Sequence, residues 1–336
     1  MQTRARDDAG TDALMLGFLA RRTAQSLVVV ALMSFVVYGL IGLMPGDPID
    51  LMISANPKLT SADAERLRAI YGVDKPILER YAAWASDALT GDFGYSRTYQ
   101  RPVLEVLGPR LANTAQLMLG AFVLSLCIGV GLGILAASRP NGVIDGAVNL
   151  FAFISISMPT FWLALLLILV FAVTLGWLPA GGSAAEGSGV LASLRYLVLP
   201  VATLTVAGTG SYARYTRASM LEALRQDWVR TARAKGADRA RVLVHHALRN
   251  AMIPVATIAA LDFGSLFSGA LITETMFAYP GMGKLIFDAV MSNDYNLALV
   301  GLLFATLLTL IGNLGADLAY AALDPRISYA DLGRDR

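Results

Sequence analysis

The sequence predicts an all-α membrane protein: six transmembrane helices, with a small extracytoplasmic helical layer between the first and second. Three observations predict this. Hydrophobic residues make up 56% of the 336 positions and charged residues only 15%, against about 25% charged in a typical soluble domain. Apolar runs recur along the chain, each long enough or nearly so for a hydrocarbon core that needs about 20 residues. Between the runs, Lys and Arg concentrate in alternate segments, the pattern that orients membrane helices.

Taken in order, residues 1–25 are a polar N-terminal segment carrying Arg4, Arg6, Arg21 and Arg22. Residues 26–44, SLVVVALMSFVVYGLIGLM, form the first span. A secretory signal has an apolar core of about 7–15 residues. This run is longer and ends in Pro45-Gly46-Asp47-Pro48, so it reads as a retained helix. Residues 45–112 are polar and form the extracytoplasmic layer. Within it, 61–67 reads as an amphipathic helix, with Thr60 or Ser61 as cap and Glu65 in the first turn. A second helix, 76–89, places Ile77, Tyr81, Trp84 and Ala88 at helical spacing. That stripe is read as packing against the membrane part rather than as a ligand site.

Residues 113–322 form a core of five helices. The spans are 113–137, 147–175, 197–211, 251–273 and 297–322. The third span of the chain is interrupted by Pro159. The fourth is short and loosened by Gly208 and Gly210, and 212–220 extends it as a helix beyond the membrane. Gly129, Gly131 and Gly133 lie inside an apolar helix without a flanking strand, so they are read as close helix packing rather than as a phosphate loop. The single cysteine, Cys127, excludes an intrachain disulfide and reads as a small buried hydrophobe.

Orientation follows from the basic residues. Seventeen of the 27 Lys and Arg fall in 1–25, 138–146, 212–250 and 323–336, and eight of the other ten fall in the single long segment 45–112. Both termini are therefore expected in the cytoplasm, with 323–336 as a cytoplasmic tail. Residues 212–250, the most basic loop, face the same side.

No motif for catalysis stands out. Gly283-Lys284 lacks the residues of a Walker A loop, and there is no HExxH, no Cys/His ligand spacing and no GxSxG elbow. His245 and His246 are adjacent and read as a solvated pair rather than a metal site. Three acids merit attention. Asp262 lies near the middle of a span, where insertion costs about 2.5–3.5 kcal/mol, and is a candidate for the translocation path or gate. Its alternative is pairing with a neighbouring helix. Glu274, between Thr273 and Thr275, is placed at the outer mouth as a second gate candidate or an interface marker. Asp317, near the inner end of the last span, reads as structural.

The stretch 227–254, DWVRTARAKGADRARVLVHHALRNAMIP, is the most informative. It begins with a short helix that Asp227 is placed to cap and Gly236 to end in a left-handed conformation. A helix this short is marginal alone and needs something to dock on. The stretch resembles the cytoplasmic coupling loop of permease subunits of binding-protein-dependent ABC importers. Of the family's E-A-A-x-x-x-G pattern, Arg230 and Thr231 replace the first two residues, while Ala232 and Gly236 match. R-T-A-R-A-K-G followed by H-A-L-R-N-A-x-x-P is the form usual in the peptide-importing branch. Other stretches resemble the same branch: Arg21-Arg22 and Gln25 before a span ending in Pro45-Gly46-Asp47-Pro48; Gly72-Val73-Asp74-Lys75-Pro76, Trp84, Gly91-Asp92-Phe93-Gly94 and Arg101-Pro102-Val103; and Leu323-Asp324-Pro325-Arg326-Ile327 near the end. Together they run from about residue 18 to 329.

The resemblance implies the type I ABC importer permease fold and the B-type subunit of an oligopeptide or dipeptide importer in a bacterial inner (plasma) membrane. The implied assembly contains a second homologous permease, two ATPase subunits or domains, an external peptide-binding protein and a peptide substrate, with no nucleic acid. This chain is then non-catalytic and holds no cofactor; ATP and Mg belong to the ATPase partners. Asp227, Trp228, Val229, Arg230, Thr231, Ala232, Arg233 and Gly236 are the implied ATPase-coupling residues. Trp228, Val229 and Ala232 are expected to enter the ATPase groove, Arg230 and Arg233 to reach its acidic rim, and Gly236 to permit the turn. The alternatives are nickel or glutathione as cargo on the same machinery, and, from a different class, an ion-coupled secondary transporter. The latter favours several intramembrane acids and an inverted repeat, neither of which the sequence displays. An intramembrane enzyme lacks a nucleophile–base arrangement.

Overall fold

A computed structural model describes residues 2–42, 75–185, 187–265 and 270–323. The helix expected at 61–67, the Pro45-Gly46-Asp47-Pro48 stretch, Gly72-Val73-Asp74, and the tail from Asp324 onward lie outside the described residues. Among the described residues the chain is mostly helical. The elements are α1 (Gln2–Gly42), α2 (Ile77–Leu89), a hairpin of β1 (Tyr95–Ser96) and β2 (Arg101–Pro102), α3 (Val103–Ser138), α4 (Val143–Ser157), α5 (Thr160–Leu167), α6 (Val190–Leu224), α7 (Asp227–Ala234), α8 (Arg249–Ser265), α9 (Leu271–Met276), α10 (Met282–Met291) and α11 (Tyr295–Leu323). The segments Ile168–Thr174 and Val242–Leu248 are π-helical.

Five helices are long and apolar enough to cross a membrane, and a bent pair, Val143–Ser157 with Thr160–Thr174, makes a sixth span if counted as one. The bend, 105°, has a local cause. Pro159 lacks the N–H that would continue α4, and a residue before proline is driven out of the helical region; Met158 sits at φ −85°, ψ 122°. The fourth span and its extension are one uninterrupted helix of 35 residues, α6, which passes through Pro200.

The chain divides into two compact units, Met1–Ala24 with Asn113–Lys284 and Leu308–Arg336, and Gln25–Ala112 with Leu285–Leu307. In the second unit, α2 lays its aromatic stripe against α1. The Phe35 and Tyr81 rings meet edge to face at 5.2 Å, Tyr38 and Trp84 lie 5.9 Å apart, and the Tyr81 hydroxyl is 2.7 Å from Ser34 Oγ. The hairpin is held by Asp294, which is 1% exposed. Its Oδ2 accepts from Ser96 Oγ at 2.5 Å and from the Thr98 amide at 2.9 Å, so the buried carboxylate is satisfied by the turn it organises.

In the first unit, α6 is gripped from two sides by close backbone approach. A β-carbon on Gly129 of α3 would lie 2.5 Å from Tyr212 Cβ, and one on Gly133 2.5 Å from Thr216 Cβ. The two glycines stand four apart and so share a face, while Gly131 faces open space. Across α6, Gly210 approaches α4, where a β-carbon would meet Ala152 O at 2.8 Å. Small residues here permit helix packing without a hydrophobic driving force, as expected in lipid. Leu117, Ala164, Leu199, Phe277 and Tyr279 form one core cluster; Ala137, Met220, Ala223, Ala247 and Ala251 form another. Arg22 pairs with Asp317 at 2.5 Å, the structural role expected of that acid. Cys127 departs from expectation: it is exposed, not buried. It shares an outward stripe of α3 with Val123, Leu124 and Ile128, because an apolar span need not bury its residues in its own chain.

Candidate functional site

The basic stretch begins where α6 ends. Gln226, not Asp227, is the residue flanking α7, with φ −75° and ψ 152° and no side-chain cap bond. Asp227 is the first helical residue instead. Its carboxylate favours the positive helix end and lies 3.4 Å from Arg230, in a pair that is 94% and 78% exposed; such pairs contribute little. Thr231 Oγ1 donates back to Asp227 O at 3.0 Å.

The helix ends in a Schellman motif. The Ala237 amide donates to Ala232 O at 3.1 Å and the Gly236 amide to Arg233 O at 3.0 Å. This closure requires a left-handed residue, and Gly236 supplies it with φ +84°. Asp238 then caps the next turn, its Oδ1 accepting from the Arg241 amide at 2.7 Å.

Burial divides the helix into two faces. Val229 is fully buried and Ala232 is 8% exposed, packed within the chain where α7 lies on the π-helical segment Val242–Leu248. These two residues were expected to enter a partner's groove; the structure corrects this, since both are consumed holding α7 to its own subunit. Trp228 is 47% exposed, and Arg230, Thr231 and Arg233 are also exposed. The face offered outward is thus one indole among polar and cationic side chains. His245 and His246, in the π-helical segment, have their rings 5.5 Å apart.

The helix that leads into α7 is tied to α4 by Asp145 and Arg217, which the sequence reading did not single out. Asp145, 2% exposed, begins α4. Its Oδ2 accepts from Arg217 Nη2 at 2.7 Å and from the Asn141 amide at 2.8 Å, and its Oδ1 from Asn149 Nδ2 at 2.8 Å. The carboxylate is therefore fully occupied, as a buried charge must be. The partners are 72 residues apart, and no local pattern announces them.

The two gate candidates differ. Asp262, on α8, is exposed and accepts a hydrogen bond from Tyr212 OH at 2.7 Å. Phe122 stands beside both elements, 6.4 Å from the Tyr212 ring and 5.8 Å from Phe263. Glu274, on α9, is fully buried. Thr114 Oγ1 donates to its Oε1 at 2.5 Å and the Lys284 amide to its Oε2 at 2.9 Å. Thr114 in turn accepts from the Met282 amide at 2.7 Å, and Asn113 Nδ2 donates to Pro280 O at 2.8 Å. Glu274 thus clasps the Tyr279-Pro280-Gly281-Met282-Gly283 loop. Burial pushes its carboxyl above the usual range, against the hydrogen bonds from Thr114 and the Lys284 amide. Burial, with the Glu274 charge nearby, pushes the Tyr279 hydroxyl up to about 12.

Comparison with known proteins agrees with this architecture. A family described as "binding-protein-dependent transport system inner membrane component" matches residues 129–329, and its N-terminal counterpart matches residues 15–118. The oligopeptide transport system permease protein AppB of Bacillus subtilis is 38% identical over 318 residues, covering 94% of this chain and 100% of that protein. The dipeptide transport system permease protein DppB of Alkalihalophilus pseudofirmus is 36% identical over 94% of this chain and 100% of its own length. The corresponding di/tripeptide protein of Pseudomonas aeruginosa is 35% identical over 94% and 99%. Two solved structures share the fold. The MetNI methionine ABC transporter in inward-facing conformations matches with TM-score 0.51 at 19% identity, over 66% of this chain and 97% of that one. An amino acid ABC transporter with histidines matches with TM-score 0.50 at 14% identity, over 65% and 94%. The two family matches together span most of the chain, and the full-length relatives agree with them: this protein belongs to the binding-protein-dependent ABC transport family, as a multi-pass inner-membrane permease component.

Proposed function

We propose that the chain is the non-catalytic translocation subunit of an ATP-driven importer of di- or oligopeptides. It pairs with a second homologous permease, two ATPase subunits and an external peptide-binding protein. ATP and Mg act on the ATPase partners, and both termini of this chain lie in the cytoplasm. The cargo assignment follows the near full-length relatives named as peptide permeases.

The observation that carries the coupling reading is the division of α7. Val229 and Ala232 hold it to the subunit while Trp228 is left 47% exposed beside exposed Arg230 and Arg233. An exposed aromatic with arginines is the composition of an interface hot spot. Trp228 enters the ATPase groove, Asp227, Arg230, Thr231 and Arg233 meet its rim, and Gly236 fixes the turn. Because Asp145–Arg217 joins α4 to α6, which leads into α7, movement of the ATPases reaches the spans through a packed connection. Asp262 lies on the translocation path with Tyr212, while Glu274 supports the outer loop from within.

The test is a mild-detergent pull-down of tagged protein, followed by ATPase assays of the recovered complex with peptides. Recovery of a second permease and ATPase subunits, with peptide-dependent hydrolysis through the binding protein, is the expected result. A lone subunit that moves solute in liposomes without ATP would overturn the proposal and point to an ion gradient.

A further inference from the structure

A cavity of 860 Å³ opens where α3 and α6 both end, behind α7. Four arginines line it, Arg217, Arg225, Arg233 and Arg239, and no carboxylate does among the described residues. Only Arg217 is neutralised there, by Asp145. Arg239 donates to the Ser138 carbonyl, a neutral group. Arg225 and Arg233 are exposed, and neither forms an ion pair among the described residues. The floor is apolar: Leu221 and Leu243 line it from the edge of the alanine-rich cluster.

Three uncompensated guanidiniums around one cavity repel one another. An arginine cannot relieve this by losing its proton, so a bound anion would stabilise the arrangement. Guanidinium forks match phosphate oxygens bidentately, and basic pockets at helix ends suit phosphate headgroups at the membrane boundary. The apolar floor favours a ligand with a hydrophobic portion over a bare ion. We infer that this cavity is a binding site for a phosphate ester, with Arg225 and Arg239 on the phosphate and Leu221 and Leu243 under its apolar part. The source is an anionic phospholipid or a soluble phosphate compound. The site is lined from within one chain and stands apart from the choice of cargo.

The purified full-length protein in neutral detergent is titrated separately with phosphatidylglycerol, phosphatidylcholine and inorganic pyrophosphate, at constant ionic strength. Binding is read by native mass spectrometry and by the shift in thermal midpoint. Phosphatidylglycerol, but not phosphatidylcholine, is expected to bind. Arg225→Gln/Arg239→Gln should weaken it by about tenfold to thirtyfold, as for two arginines facing an anionic headgroup. Arg225→Gln alone, at a solvated side chain, should give part of that loss with an unchanged midpoint in the absence of ligand, which separates lost binding from lost fold. Arg195→Gln, at the far end of α6, should leave binding unchanged. Pyrophosphate bound with the same arginine dependence assigns the site to a soluble ligand, and its absence assigns it to lipid. If neither probe binds with a dependence on Arg225 and Arg239, the inference is wrong.

Discussion

The backbone at Gly281 passes so close to Glu274 that a β-carbon there would stand 2.1 Å from the carboxylate's Oε1. The acid and the glycine define each other's places: the buried carboxylate takes amide hydrogen bonds from the loop only because the loop has no side chain at that point. Gly281→Ala must displace one of them. The expected cost is about 2–3 kcal/mol, the upper range for overpacking plus a disturbed buried hydrogen bond. Thermal unfolding of the purified protein measures it, and an unchanged midpoint would show that the clasp yields freely.

The buried Glu274 also makes stability depend on pH. Its folded-state carboxyl is raised by burial, so the folded state holds its proton more tightly than the unfolded chain. The contribution is then fully present below the ordinary carboxyl range and is lost as pH rises through the folded value. Relative to Glu274→Gln, the natural protein should lose stability as pH rises above the ordinary carboxyl range. Parallel pH scans of the two midpoints would detect it, and parallel curves would contradict it.

Gly133→Leu should separate α3 from α6. A β-carbon there already meets Thr216 Cβ at 2.5 Å and Ala213 O at 2.8 Å, and neither backbone can recede without moving a span. A loss of about 3 kcal/mol or failure to fold is expected. Gly131→Leu, facing open space, should be tolerated, so comparing monodisperse yield of the two variants isolates the packing face.

Asp145→Asn leaves the Arg217 charge without its counter-charge. Breaking a buried pair costs about 3–5 kcal/mol; the lower end is expected because the Arg217 side chain keeps 24% exposure. Replacing both partners, Asp145→Asn with Arg217→Met, should recover part of the loss. A double variant no better than the single one would mean that the hydrogen bonds to Asn141 and Asn149 dominate.

Trp228→Ala and Val229→Ala should separate coupling from folding. Val229 is fully buried, so its truncation costs about 2 kcal/mol of stability. Trp228→Ala should leave the thermal midpoint nearly unchanged and lower peptide-stimulated ATPase activity of the assembled complex by about tenfold or more, the loss typical of an interface hot spot. Equal ATPase activity in the Trp228→Ala complex would remove this helix from the coupling role.

Much of the candidate site was legible along the chain because its signals are local. Gly236 after a short basic helix announces a left-handed stop, and the structure closes it with a Schellman turn. Pro159 inside an apolar run announces a break, though not a 105° bend. Gly129 and Gly133, four apart, announce a packing face. The readings that changed depend on what lies opposite a residue. Asp227 had the composition of a cap, but the chain enters α7 one residue earlier. Val229 and Ala232 share a face that suits a partner or the chain itself, and only packing tells which. Cys127 is apolar in context and yet outward, since in a membrane protein both faces of a span can be apolar.

What the sequence by itself determined is the set of membrane helices, the basic loop between them and the family to which the chain belongs. Hydrophobic length, turn residues and motif order are properties of consecutive residues. The tertiary structure alone decided that Asp145 meets Arg217, that Glu274 is enclosed by the Tyr279–Gly283 loop, that Asp294 holds the hairpin, and that arginines from several elements surround one cavity. These pairings join residues tens to hundreds of positions apart. Their energy depends on distance and burial rather than on spacing along the chain, so they exist only once the helices have packed.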